Sequence, residues 1–321
     1  MLLTDYLRSE PDLTWQLALQ SGVRHGVIRL PEDEDFDPTD RAHVLAVTDR
    51  FLSHGITPVI VEPLPNALHD HIKLGDEKRD ESIEKFIKLM ANLRETTVDT
   101  VCFNFMAHYG WTRTAKDLPE RGGARVTGFC LADFKPDGFT ISAEQMWQNY
   151  EYFIRAVIPY AEKYDIKLAL HPDDPPLSDF GGVARIFTSF DNIRRGISVV
   201  DSPNLGVTFC QACYHLMGAD LEEAIRILRD KIFFIHFRNV RGEKTHFSET
   251  FHDNGDLPMA KLMGLYKAAG VDVPIRVDHV PTLAHESIEQ AGYDALGRLF
   301  AIGYLKGILE SYEMESHNDH R

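Results

Sequence analysis

Seven short apolar runs, almost free of polar interruption, limit what this chain can fold into. They occupy residues 27–30, 58–62, 100–105, 167–170, 205–209, 232–237 and 274–278. Continuous hydrophobicity, as opposed to strict alternation, suits strands buried on both faces, the habit of parallel sheets. Helical periodicity separates them, at residues 80–94, 143–164, 220–229 and 259–269, and Gly270 stands where a helix would end before the next strand. Such β–α alternation, with no Gly-rich phosphate loop, favours a (β/α)8 barrel over a doubly wound nucleotide-binding sheet. A barrel needs an eighth strand, expected within 125–131 or 193–200.

The length of 321 residues fits one barrel domain spanning 1–321, and no Pro-, Gly- or Ser-rich linker divides it. Two long connections, 107–138 and 242–257, leave the carboxyl ends of strands, where barrel active sites are built. Acidic residues outnumber Lys and Arg by 49 to 34, and no basic stripe offsets the formal charge of −15. That balance argues against nucleic acid or an anionic membrane as a partner and leaves a small molecule. Four cysteines are too few for a disulfide framework at this length. The first residues turn acidic without an apolar leader, and no run reaches the ~18 residues of a membrane span. A soluble, cytoplasmic protein is expected, and a homo-oligomer, since barrels of this kind often pair. The polar stretch from Ser311 reads as a solvated tail.

Four of the runs close on a metal-binding side chain: His171, Cys210, His236 and Asp278. A lone His after an apolar run is usually a hydrogen-bonded structural residue. Four such groups in one register are harder to dismiss, because parallel strands bring their carboxyl ends together. Two imidazoles, a thiolate and a carboxylate would suit one Zn²⁺, Fe²⁺ or Mn²⁺ ion. Pro172, Pro175 and Pro176 stiffen the turn after His171. Cys210 and Cys213 could also be a redox pair or half of a zinc site, although no second CxxC exists. As a metal site, Cys210 is the ligand and Cys213 packs in the core. His246, Glu249 and His252 recur at three-residue spacing but lack the HExxH pattern, so this segment reads as a loop capping the pocket. His69–Asp70–His71 reads as exposed loop. Arg113, Arg238 and Arg276 would recognise a carboxylate if they face the pocket, with Trp111 as an apolar wall.

The chain resembles the mannonate dehydratase family. HDHIKLGDEKRDESIE, VCFNFMAHYGWTRT, LALHPDDPP, GVTFCQ, FIHFRNV, FSETFHDNGD, PIRVDH and AGYDALGRLFAIGYLKGILE occur in family order, from about residue 56 to 310. The resemblance implies a xylose-isomerase-like TIM barrel holding Mn²⁺ or Fe²⁺ on His171, Cys210, His236 and Asp278. It implies loss of water from D-mannonate to give 2-keto-3-deoxy-D-gluconate, a step of hexuronate catabolism. His279 and Tyr293 would be the acid–base pair, in an order the sequence does not decide. Asn104, Trp111, Arg113, Arg238 and Arg276 would contact substrate. Three positions depart from the family pattern: Val280–Pro281 where Gly usually follows Asp-His, Gly110 for an Asp before Trp111, and Ala212–Cys213 for a pair of small residues. A metal-dependent sugar isomerase or epimerase on the same barrel, or a catalytically weak sugar-acid-binding relative, are the alternatives.

Overall fold

The computed structural model describes the backbone of residues 1–318 and the side chains of residues 1–312. Eight parallel strands close into a barrel in which each neighbours the next in sequence. They are β1 (Leu2–Leu7), β2 (His25–Ile28), β3 (Thr57–Val61), β4 (Thr100–Phe103), β5 (Lys167–Leu170), β6 (Leu205–Cys210), β7 (Ile232–Phe237) and β8 (Pro274–Val277). The seven runs expected as strands correspond to β2–β8, with ends displaced by no more than two residues.

The missing strand lies in neither of the expected places. Residues 125–130 form a strand outside the barrel, and 190–197 are helical. The eighth strand is β1, at the very start of the chain, pairing with β8 through Leu2↔Pro274 and Thr4↔Arg276. Thr4 and Asp5 interrupt its apolar run, yet both are fully buried. The barrel supplies their partners: Thr4 Oγ1 donates to the Ile275 carbonyl at 3.0 Å, and Asp5 accepts from Arg298 at 2.6 Å. A buried polar residue with its partner in place costs little, but no local pattern announces it.

Helices form the outer ring. The longest between two strands, Ala143–Tyr164, starts on Ser142, whose hydroxyl accepts from Gln145 N. It buries Met146, Tyr150, Phe153, Val157 and Ala161, the three- and four-residue spacing of one helical face. His69, expected in an exposed loop, lies in the helix Asn66–Leu74 and is wholly buried against Phe103, Phe105 and Phe153. The tail from Ser311 continues the helix Ala295–Asn318, and whether it is solvated beyond residue 312 lies outside the described residues.

The two long connections pair with each other. Strands Ala115–Pro119 and Arg125–Cys130 from the first join Val240–Glu243 and His246–Glu249 from the second in one antiparallel sheet. His246↔Cys130 and Ser248↔Gly128 set the register between them. Both connections leave carboxyl ends of barrel strands, so this small sheet stands over that face.

Candidate metal centre and active site

Strand register brings the sulfur and nitrogen donors together. Cys210, the last residue of β6, pairs with His236 of β7, and His171 directly follows β5. The donor atoms of His171, Cys210 and His236 all lie within 4.8 Å of one another. His171 Nδ1 donates to the Pro172 carbonyl at 2.7 Å, leaving Nε2 as the lone-pair nitrogen. Asp278, just beyond β8, stands to one side, with Oδ2 3.7 Å from His236 Nδ1 and Oδ1 taken by Arg276 at 2.9 Å.

The electrostatics of the cluster suit a divalent cation. Burial should raise the Cys210 thiol, but Cys213, Arg238 and the two histidines hold it well below its usual range. Burial should lower His171, but the Cys210 thiolate beside it, with Glu62 and Asp278, raises it to about 9. A cation on these donors would take the place of that proton. His236 Nε2 lies 2.9 Å from Glu62 Oε1, yet neither ring nitrogen has a well-formed hydrogen bond among the described residues. With Glu62 facing Nε2, Nδ1 is the nitrogen left for a ligand, the arrangement of a ligand histidine with a carboxylate behind it.

Glu62, Cys102 and His236 form a second compact donor group. Charge argues against another ion there. Arg276 already neutralises Glu62 at 2.8 Å, and burial, with Glu62 nearby, pushes the Cys102 thiol well above its usual value. Glu62 instead stands behind His236. It follows β3 as a single acidic residue after an apolar run, the same signal that marks the other four, although by pattern alone it is equally the last residue of the strand.

His279 and Tyr293 meet at this cluster. Tyr293 OH lies 3.0 Å from His279 Nε2, and His279 Nδ1 lies 3.1 Å from Glu249 Oε1. A carboxylate can only accept, and Arg238 and Arg113 keep Glu249 ionised against the burial that would raise it. Nδ1 therefore carries a proton, and when the ring holds only that one its Nε2 lone pair faces Tyr293, whose hydroxyl donates. Burial raises the Tyr293 phenol, so it keeps its proton. The backbone sets this meeting: Val280 N donates to the Gly292 carbonyl at 3.0 Å, clamping the residue after His279 to the residue before Tyr293. Val280 is buried with negative φ, so the backbone there does not call for glycine. Pro281 packs under the C-terminal helix, where a Cβ on Gly297 would come within 2.0 Å of its carbonyl oxygen.

Two of the arginines expected at the substrate are committed elsewhere. Arg238 is fully buried, with Nε and Nη2 on Glu249 and Nη1 on Asp174 at 2.8 Å and near Cys210 Sγ at 3.6 Å. Arg113 bridges the same two acids, at 2.9 Å to Asp174 and 2.6 Å to Glu249. Both guanidinium groups are thus satisfied within the protein and hold up Glu249 and Cys210. The HFSETFHD segment splits similarly: Glu249 is at the heart of this network, while His252 is buried against Phe237 and His246 points outwards. Cys213 is buried beside Cys210, with Arg238 Nη1 3.4 Å from its sulfur, and all four cysteines are free thiols. Alongside packing in the core, it donates towards the Cys210 thiolate.

A cavity of about 350 Å³ opens above the donors. Asn104, Trp111, Arg276, His279 and Tyr293 line it together with His171, His236 and Asp278. Trp111 leans on His279 at a centroid distance of 4.8 Å, forming an aromatic wall. Tyr6, Arg8 and Arg29, on the ends of β1 and β2, also line it. Sequence reasoning missed Tyr6 and Arg8 because β1 itself went unrecognised, and Arg29 because it lay inside the run expected for β2.

Comparison with known proteins places the chain among relatives of one kind. A family model described as D-mannonate dehydratase (UxuA) matches residues 16–136 and 131–319. Mannonate dehydratase 2 of Halalkalibacterium halodurans is 33% identical, over 84% of this chain and 86% of that one. Mannonate dehydratase of Oceanobacillus iheyensis is 30% identical over 96% of each chain. The crystal structure of mannonate dehydratase from Streptococcus suis serotype 2 superposes with a TM-score of 0.89 at 26% identity, covering 99% of this chain and 95% of that one. A xylose isomerase domain protein from Planctomyces limnophilus, at TM-score 0.65 and 13% identity, shares the fold.

Proposed function

Since this chain belongs to the D-mannonate dehydratase family, a family of hydro-lyases, we propose that it removes water from D-mannonate to give 2-keto-3-deoxy-D-gluconate. The observation that carries this reading is His279, held between Glu249 and Tyr293 at the edge of the His171–Cys210–His236 donor cluster. Dehydration of an aldonate needs a base for the C2 proton and an acid for the departing C3 hydroxyl, both next to a group that stabilises charge on the carboxylate.

His171, Cys210, His236 and Asp278 would hold one Mn²⁺ or Fe²⁺. Such an ion supplies electrophilic stabilisation of the negative charge that develops when the C2 proton leaves. Glu249 fixes the His279 ring so that Nε2 faces the cavity as the base. Tyr293, protonated and 3.0 Å away, is the donor to the C3 hydroxyl as its C–O bond breaks. The proton His279 has gained then returns to the Tyr293 oxygen along the same contact. Trp111 excludes water from one side, and Asn104 and Arg276 orient the polar chain. The reaction would take place in the cytoplasm, in keeping with four free thiols, and a homo-oligomer is part of the same reading.

The deciding experiment incubates protein reconstituted with Mn²⁺ or Fe²⁺ with a panel of aldonates and assays 2-keto-3-deoxy acids. Product from D-mannonate is expected. Metal-loaded protein that yields no keto acid from any aldonate, or that only exchanges or inverts C2, overturns the proposal.

A further inference from the structure

We propose that Arg8 and Arg29 form a subsite for an anionic group at the end of the substrate remote from the metal donors, so that the preferred substrate is a sugar acid with a second anion, carboxylate or phosphate. The inference rests on the dehydratase reading for the placement of the reacting carbons, and on the cavity for the rest.

Most charges in the cavity are already spent on each other. Arg276 lies between Glu62 at 2.8 Å and Asp278 at 2.9 Å, and Asp174 is held by Arg113 and Arg238. Arg8 and Arg29 are the exceptions. Arg8, directly after β1, is exposed, and its guanidinium has no hydrogen-bond or ion-pair partner among the described residues. Glu10, the acid nearest to it in sequence, is engaged by Arg50. Arg29, directly after β2, meets Glu32 at 2.8 Å, but with 40% and 45% of the two side chains exposed, water screens that pair and an incoming anion can displace it. The rest of the acidic stretch after β2 does not reach this cavity: Asp33 and Asp37 line a neighbouring cleft with Phe36 and Lys85.

Position separates these arginines from the chemistry. The Arg276 guanidinium carbon lies 5.6 Å from the centre of the Tyr6 ring, which also packs on Tyr293 at 5.5 Å. In the barrel β1 runs between β8, which carries Arg276, and β2, which Arg29 follows. Arg29 thus lines the cavity on the far side of β1 from Arg276. With the carboxylate and the second and third carbons lying between the donor cluster and His279, the far end of a six-carbon acid runs towards β1 and β2. In a protein of net charge −15, Arg8 without a partner and Arg29 with only a solvent-screened one, on adjacent strand ends, reverse the field locally, and guanidinium groups suit carboxylate or phosphate equally well.

The test compares D-mannonate, D-mannarate and 6-phospho-D-mannonate as substrates of wild type and of Arg8→Gln, Arg29→Gln and the double variant. The wild type is expected to favour one of the two dianions by kcat/KM at least about tenfold, and each substitution to reduce that preference about tenfold, chiefly through KM. Whether the carboxylate or the phosphate substrate leads identifies the second anion. Equal kcat/KM for all three acids, or a preference that survives in the double variant, overturns the subsite. If no acid is dehydrated, it is the dehydratase reading that fails. The subsite is then read by thermal shift: stabilisation by D-mannarate or 6-phospho-D-mannonate that Arg8→Gln and Arg29→Gln abolish supports it, and equal shifts in all variants overturn it.

Discussion

Which nitrogen of His279 carries the proton is decided by Glu249, thirty residues earlier in the chain, through a 3.1 Å contact. The same logic applies at the donor cluster, where Glu62 stands 2.9 Å behind His236. Glu62→Gln should weaken Mn²⁺ binding by about 10- to 100-fold, measured by competition with a chromogenic chelator, because a carboxylate behind a ligand imidazole raises its donor strength. Undiminished affinity would remove Glu62 from that role. Tyr293→Phe should retain metal and lose turnover by about 10²- to 10⁴-fold, the range for a missing general acid. Full activity in that variant would take Tyr293 out of the mechanism. His171, Cys210, His236 and Asp278 were legible one by one, because each ends an apolar run. Glu249 and Asp174 were not, since their importance lies in Arg113, which reaches both from another loop, and in Arg238, which joins them across the mouth of the barrel.

Among the elements, the antiparallel sheet over the barrel mouth is the one that holds His279 in place, since its strand His246–Glu249 ends in Glu249. Phe247 anchors that strand, buried against Phe129 at a centroid distance of 5.9 Å and beneath Arg113. Phe247→Ala should cost about 3 kcal/mol of local stability. Amide hydrogen exchange should quicken across 125–130 and 240–249 while β4–β7 stay protected, and kcat should fall as His279 loses its support. Uniform acceleration over the whole barrel would contradict a locally anchored cap. The two long connections could be placed at the carboxyl ends of strands from hydropathy alone. That they pair with each other could not, because antiparallel register between segments over a hundred residues apart leaves no periodic trace in either.

For the molecule as a whole, acid sensitivity follows from its buried histidines. His252 is pressed against Phe237, and burial lowers it to about 4; burial lowers His69 well below its usual value too. The unfolded chain protonates histidine near pH 6.5, the folded one only lower, so the unfolded state binds more protons between those values. The contribution of these two histidines is therefore complete above about pH 6.5 and falls as pH drops towards 4. His252 alone should account for about 2 kcal/mol lost by pH 5. A Tm–pH profile in His252→Phe should be flatter over that window; an unchanged slope would contradict the assignment. Alternating runs and helical stretches were enough for the barrel and for the ends of β2–β8, since burial on both faces writes itself locally into composition. The first strand, with Thr4 and Asp5 inside it, became visible only on closure, when Ile275 and Arg298 arrived to satisfy them. The sequence by itself determined which residues could bind a metal and which end of the barrel they share. Tertiary structure alone decided which charges were already satisfied. It drew Arg113 and Arg238 into the protein's own network and left Arg8 and Arg29 facing the cavity, because the pairing of a charge depends on distances between strands and not on spacing along the chain.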